Sequence, residues 1–166
     1  NYIFQTTQKG YKMIVQYHRV RADALKPTRG HPSDAGLDVY YCPEDFSTTA
    51  RRIGPGESVV LQTGLRFEIP HGYMLEVKNR SSVAAKRNLI VGACVIDSGY
   101  AGEVFINLHN IGIETQLVDK NTKIAQLVMV PVVSFQAWEN SGGDLYEYPV
   151  TISARGTGAM GSTDAD

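Results

Sequence analysis

The chain has 166 residues, 43% of them hydrophobic, and a formal net charge of −1, the size and composition of one globular domain with a buried core. So small a charge argues against a surface that grips nucleic acid through bulk electrostatics, so any phosphate is expected to be met locally. No apolar run reaches the about 18 residues of a membrane span, the first residues lack a signal peptide's basic-then-apolar build, and the two cysteines, Cys42 and Cys94, have neither disulfide-framework nor metal-ligand spacing.

A reducing cytoplasm is therefore the expected compartment. Residues 1–12 read as a native extension or an expression remnant, and no role in the fold is expected of them, because Met13 opens the first strand-like run. Such runs recur at residues 13–19, 37–41, 58–63, 65–69, 73–78, 103–109 and 123–135. Turn signals such as Gly54-Pro55-Gly56 and Pro70-His71-Gly72 separate most of them, the punctuation of an all-β sandwich or barrel. Residues 81–87 (SSVAAKR) alone have helix-friendly composition, which allows about two turns. The β domain is expected over residues 13–150. Residues 151–166, ending in the Gly-, Ser- and Thr-rich RGTGAMGSTDAD, read as a mobile tail that dangles or folds over a ligand or a neighbouring subunit.

Five stretches could carry chemistry. In residues 35–40 (AGLDVY), Asp38 lies between apolar neighbours; a half-buried acid there needs a cationic or hydrogen-bonding partner. It is either a strand-end acid holding a loop or a direct ligand. In residues 79–86 (NRSSVAAK), Arg80, Ser81 and Ser82 open the helical segment. They could form an anion cradle or simply cap the helix. Residues 92–110 (GACVIDSGYAGEVFINLHN) are two apolar runs about a glycine-rich turn that carries Asp97 and Tyr100, a hairpin or a ligand-contacting bend whose glycines permit φ > 0 and close backbone approach. Asp97 is a turn-former or a carboxylate presented on a rigid frame. In residues 121–130 (NTKIAQLVMV), Gln126 interrupts an apolar strand, as a glutamine satisfying nearby backbone or facing water would. Residues 155–163 (RGTGAMGST) are glycine-rich and basic but do not fit GxxxxGK[ST]; they could still wrap phosphate, with Arg155 as a bidentate clamp and Ser162 and Thr163 as hydroxyl donors.

Taken in order, these five stretches resemble the five signature motifs of the homotrimeric dUTPases, the deoxyuridine triphosphate pyrophosphatases. The resemblance spans nearly all of the chain outside residues 1–12, some loops and residues 164–166. It implies a distorted jelly-roll or β-clip sandwich with at most one short helix and a flexible C-terminal lid. It further implies cleavage of dUTP between its α and β phosphates, which yields dUMP for thymidylate synthesis and keeps uracil out of DNA. Asp97 would orient and deprotonate the attacking water. Tyr100 would lie against the deoxyribose and exclude a 2′-hydroxyl. The backbone of Ala93, Cys94 and Val95 would read uracil; Cys94 replaces a usual glycine. Asp38 would support the phosphate end, where Arg80, Ser81, Ser82, Gln126 and Arg155 hold the phosphates. Met160, Gly161, Ser162 and Thr163 belong to the lid, with Met160 where an aromatic ring usually covers the base. Mg²⁺ would be carried chiefly by the triphosphate, with no direct protein ligand assigned. Each active site of the trimer would draw on more than one subunit.

Two rival readings compete with this one. The related dCTP deaminases carry a catalytic Glu ten residues beyond the hairpin Asp, where this chain has Asn107, and they lack the glycine-rich lid. A catalytically silent nucleotide-binding regulatory module is the second, which the presence of Asp97, Arg80 and Arg155 disfavours. A surface for a regulatory protein leaves no fixed spacing of residue types.

Overall fold

The computed structural model describes residues 4–7 and 10–142, with side chains from Met13 onward. Thirteen strands and one helix follow in order: β1 (Phe4–Thr7), β2 (Gly10–Met13), β3 (Gln16–Arg19), β4 (Leu37–Tyr40), β5 (Ala50–Ile53), β6 (Ser58–Gln62), β7 (Leu65–Glu68), β8 (Tyr73–Lys78), α1 (Ser81–Arg87), β9 (Leu89–Val91), β10 (Val95–Ile96), β11 (Phe105–Asn110), β12 (Gln116–Asp119) and β13 (Lys123–Pro131). Among the described residues the architecture is the expected all-β one, a jelly-roll type with a single short helix. Residues Asn1–Ser134 form one compact unit and Phe135–Asp166 a second.

Two sheets face each other across the core. One has the order β10-β8-β13-β4 and the other β6-β11-β9, while β12-β5, β3-β7 and β1-β2 form two-stranded ladders. The alternation of buried and accessible residues along β6, β7 and β11 is the period-two signature of strands covered on one face. Val39, Leu75, Val77, Ala125 and Leu127 from the first sheet share one buried cluster with Val59, Leu61, Leu89, Ile106 and Leu108 from the second. Each fully buried Leu or Ile there contributes about 1.5–3 kcal/mol.

The helix has the bounds expected from its composition. Arg80 precedes it in extended conformation (φ −85°, ψ 130°), and Asn88 ends it in the left-handed region (φ 52°), its N–H donating to Ala84. That is a usual C-terminal stop, and Lys86 and Arg87 lie in the last turn, the end that favours cations.

Several expectations change. The N-terminal stretch is not featureless: β1 and β2 pair with each other from Phe4↔Met13 to Thr7↔Gly10, so Met13 closes a hairpin and the following strand begins at Gln16. The last strand stops at Pro131 rather than 135, where proline's missing N–H ends a ladder. Strands β5, β9 and β12 were not expected. In the second unit, the described residues 135–142 hold no strand or helix, and Phe135 and Trp138 are each 85% exposed.

Candidate active site

Three of the five sequence stretches meet at one end of the first sheet. β13 pairs with β4 on one side and β8 on the other, so Gln126 stands opposite both Asp38 and Lys78. Beyond Lys78 the chain turns through Asn79 and Arg80 into α1, which brings Arg80 over Asp38. Arg80 Nε donates to Asp38 Oδ1 at 2.7 Å, and Lys123 Nζ lies 2.8 Å from Oδ2. Both carboxylate oxygens are thus engaged, and the Asp38 side chain is only 14% exposed. The hydrogen bond to Asp38 is the chief reason that the Lys123 ammonium sits above its ordinary pKa of 10.5.

A β-bulge makes this cluster. Lys123 and Gln126 are three residues apart, so regular alternation would send them to opposite faces. The register slips between Lys123 and Ala125, giving the pairs Lys123↔Tyr40 and Gln126↔Asp38. Because Asp38 and Tyr40 share a face, the extra residue places Lys123 and Gln126 on that face together. Gln126 Nε2 donates to the Asn79 carbonyl at 2.9 Å, and Asn79 Oδ1 accepts from the Val91 N–H at 2.7 Å. Gly36 is buried against Gln126: a Cβ there would stand 2.9 Å from the glutamine Cβ and collide with its Oε1.

Ser81 and Ser82 are exposed and do not cap the helix, since Arg80 occupies the cap position without a side-chain cap bond. Instead Arg80 Nη1 donates to Ser82 Oγ at 3.4 Å. Arg80 and Ser82 therefore present donors outward beside one another, as an anion-binding group does.

The Asp97 stretch forms a second constellation. Its two apolar runs do not pair as a hairpin: β10 pairs with β8, and β11 with β6 and β9. The turn is a bend that carries the chain from one sheet to the other. Neither Gly99 nor Gly102 adopts positive φ; Gly102 is needed for close approach, because a Cβ there would lie 2.5 Å from the Tyr100 hydroxyl. The Tyr100 N–H donates to the Asp97 carbonyl at 3.1 Å, and the phenol O–H to the Glu103 carbonyl at 2.7 Å. Val95, Ile96, Asp97, Tyr100, Val104 and Phe105 line a cleft of about 200 Å³, with the Asp97 side chain exposed.

Strand β10 is the outer strand of its sheet among the described residues. Cys94 gives its carbonyl to the Val77 N–H at 2.8 Å, and Val95 stands opposite Glu76. By antiparallel alternation the N–H and C=O of Val95, and of Ala93 before it, point to the free edge. Of the three residues expected to read a base, the backbone of Ala93 and Val95 is offered to a ligand, while the Cys94 carbonyl is consumed by the sheet.

Asn107 is absorbed by the fold: its amide donates to the Val59 carbonyl at 3.2 Å, and its Oδ1 lies 2.8 Å from His109 Nε2. Arg155, Met160, Gly161, Ser162 and Thr163 lie outside the described residues. Sequence reasoning missed Lys123, although it falls within a quoted motif. The signal that finds it is the rule that a carboxylate in an apolar strand needs cations.

Among the described residues, no three His, Cys, Asp or Glu side chains converge on a metal site, and no helix is long and apolar enough to cross a membrane.

The chain as a whole is similar to known proteins. The dUTPase family profile matches residues 22–157. The deoxyuridine 5′-triphosphate nucleotidohydrolase of Clostridium acetobutylicum is 38% identical over 142 residues, which cover 84% of this chain and 89% of that protein. The Staphylococcus bacteriophage 80alpha dUTPase, solved with dUpNHpp, aligns with a TM-score of 0.75 at 24% identity over 90% of this chain and 97% of that one. An Asp-to-Asn variant of the dUTPase from phage phi11 of S. aureus, whose structure details coordination of a structural Mg(II) ion, aligns with a TM-score of 0.68 at 25% identity over 77% and 97%. With the profile running through every described motif, and the relative matched over most of both lengths, the chain belongs to the dUTPase family.

Proposed function

We propose that the chain hydrolyses dUTP to dUMP and pyrophosphate, with Asp97 as the general base for water attack on the α-phosphate. The observation that carries this is the Asp97 carboxylate, exposed on the rim of a cleft whose other wall is Tyr100 and beside the free backbone edge at Ala93 and Val95. A base must reach the proton that it takes and keep a lone pair for it. Asp97 meets that requirement, whereas Asp38 spends both oxygens on Arg80 and Lys123.

Uracil is read by the N–H and C=O groups at the β10 edge, and Tyr100 stands against the sugar. Arg80, Ser81, Ser82 and Gln126 meet the phosphates. Asp38 holds Arg80 in place, and Lys123 adds positive charge at the same end. Arg155, Met160, Gly161, Ser162 and Thr163 supply the closing segment. Mg²⁺, held chiefly through the triphosphate with no side chain of this chain assigned as its ligand, would neutralise phosphate charge. The enzyme works as a homotrimer in the cytoplasm. Support for shared sites comes from the ladder: Ile96, next to Asp97, lies opposite Leu75, whereas Gln126 lies opposite Lys78, so the base and the phosphate cluster stand at different positions along β8.

The test is pyrophosphate release from dUTP, dCTP, dTTP and UTP in Mg²⁺, with nucleobase identity followed in parallel and Asp97→Asn as control. Turnover of dUTP alone, lost in the variant, is the expected result. Deamination of dCTP, or binding of dUTP without turnover even in the wild type, would overturn it.

A further inference from the structure

The turn that carries Asp97 and Tyr100 is anchored by an ion pair between Arg21 and Glu103. Arg21, just past β3, donates from Nη1 to Glu103 Oε2 at 3.0 Å and from Nη2 to Oε1 at 2.5 Å. Nη2 also donates to the Cys42 carbonyl at 2.8 Å. Glu103 Oε1 accepts a third bond from the Gly64 N–H at 2.6 Å. The two side chains are 13% and 14% exposed, so this bidentate pair is held largely out of water, where such a fork fixes geometry as well as energy. Its bond to Glu103 is the main reason that the Arg21 guanidinium is held above its usual range.

The surroundings fix the pair in turn. Gly64 has φ +70° with Ala24 and Cys42 packed where a Cβ would go, the Val20 N–H donates to the Gly64 carbonyl, and Val104 bonds Leu65 through its N–H (2.8 Å) and Thr63 Oγ1 through its carbonyl (2.7 Å). Glu103 is thus tied through its side chain to Arg21 and Gly64, and through its carbonyl to the Tyr100 hydroxyl at 2.7 Å. Tyr100 is 43% exposed and lies over Gly102. Nothing in its own exposure holds the ring still; the Glu103 carbonyl does.

We propose that Arg21 and Glu103 are positioning residues that fix the Tyr100 ring through the Glu103 carbonyl, and thereby set how strongly the site prefers a deoxyribonucleotide over a ribonucleotide. This rests on the proposed hydrolysis of dUTP. A ring that cannot retreat meets a 2′-hydroxyl as a hard wall. Once its anchor is loosened, the ring yields to the hydroxyl, and rejection weakens more than binding of the smaller sugar does.

The experiment compares the full-length wild type, Arg21→Met and Glu103→Gln, with Val118→Ala, a core truncation on β12, as a destabilised control. Each is characterised by kcat and KM for dUTP, the inhibition constant of UTP against dUTP hydrolysis, melting temperature, and the Tyr100 ring signal in tyrosine-labelled protein, assigned with Tyr100→Phe. Arg21→Met should narrow the ratio of UTP inhibition constant to dUTP KM by about tenfold, with Glu103→Gln in the same direction but less, because glutamine keeps an acceptor for Gly64. Val118→Ala should lower the melting temperature and leave the ratio alone. An unchanged ratio in both Arg21→Met and Glu103→Gln, or an equal change in Val118→Ala, overturns the inference. If the wild type hydrolyses no dUTP, the proposed function fails instead; the positioning role is then decided by the Tyr100 signal, which must shift or broaden in Arg21→Met and not in Val118→Ala.

Discussion

Asp38 and Asp97 are chemically alike and stand in opposite surroundings. Asp38 is 14% exposed with a guanidinium on one oxygen and an ammonium on the other; Asp97 is exposed on a cleft rim, and its backbone carbonyl accepts from the Tyr100 N–H. A carboxylate with each oxygen held by a separate cation is a scaffold, because both oxygens are committed to fixing side chains in place. An exposed one contributes little to the fold and keeps its lone pairs for a ligand. Under the proposed function, this difference gives Asp38 the task of holding Arg80 and Asp97 the task of activating the water.

Exchanging the two acids for their amides is the sharpest way to break that comparison. Asp97→Asn should lower kcat by about 10²–10⁴, the usual contribution of a general base, with the melting temperature unchanged; comparable loss of stability would remove the contrast. Asp38→Asn should do the reverse. Chemical denaturation should show a loss of about 1–3 kcal/mol, from leaving Arg80 and Lys123 half-buried beside a neutral amide, and KM for dUTP should rise more than kcat falls as Arg80 loosens.

A smaller effect is expected from Gly36→Ala, which leaves both acids intact. Its new Cβ meets Gln126, so the glutamine must move off the Asn79 carbonyl. The cost should be about 1 kcal/mol, typical of mild overpacking, with a raised KM; wild-type KM would show that Gln126 does not touch the phosphates. The smallest concerns pH. Lys123 is raised above its ordinary value by Asp38, so its contribution to stability is fully present below the ordinary lysine pKa and is lost as pH rises through the higher folded value. Lys123→Met should flatten the alkaline limb of the stability profile without altering the acid side, which unfolding midpoints across the alkaline range would reveal.

The chain's local chemistry was enough for the elements whose signal is local. Residues 81–87 form the helix with the bounds that composition suggested, and the alternating runs near 58–62, 65–68 and 73–78 are strands. Strands β5 and β12 were hidden for a physical reason: ARRI and QLVD are short, charged and only half-buried, and each becomes a strand by pairing with the other some sixty residues away. The same division runs through the site. Motif residues Asp38, Arg80, Gln126, Asp97 and Tyr100 were all legible as residue types in a recognisable order. Their grouping was not. Whether Asp38 held a loop or a ligand, and whether the Asp97 bend was a hairpin, depended on which strands lie side by side.

Sequence alone determined the family, the β-rich class, the single helix and the identity of the acids and cations available for chemistry, because periodicity and motif spacing are properties of neighbours along the chain. Tertiary structure alone decided which acid is neutralised. The bulge after Lys123 brings a second cation to Asp38, the switch between sheets leaves Asp97 on a cleft rim, and Arg21 reaches Glu103 across 82 positions of sequence. Register and long-range pairing set those contacts, and neither is written in any short stretch of residues.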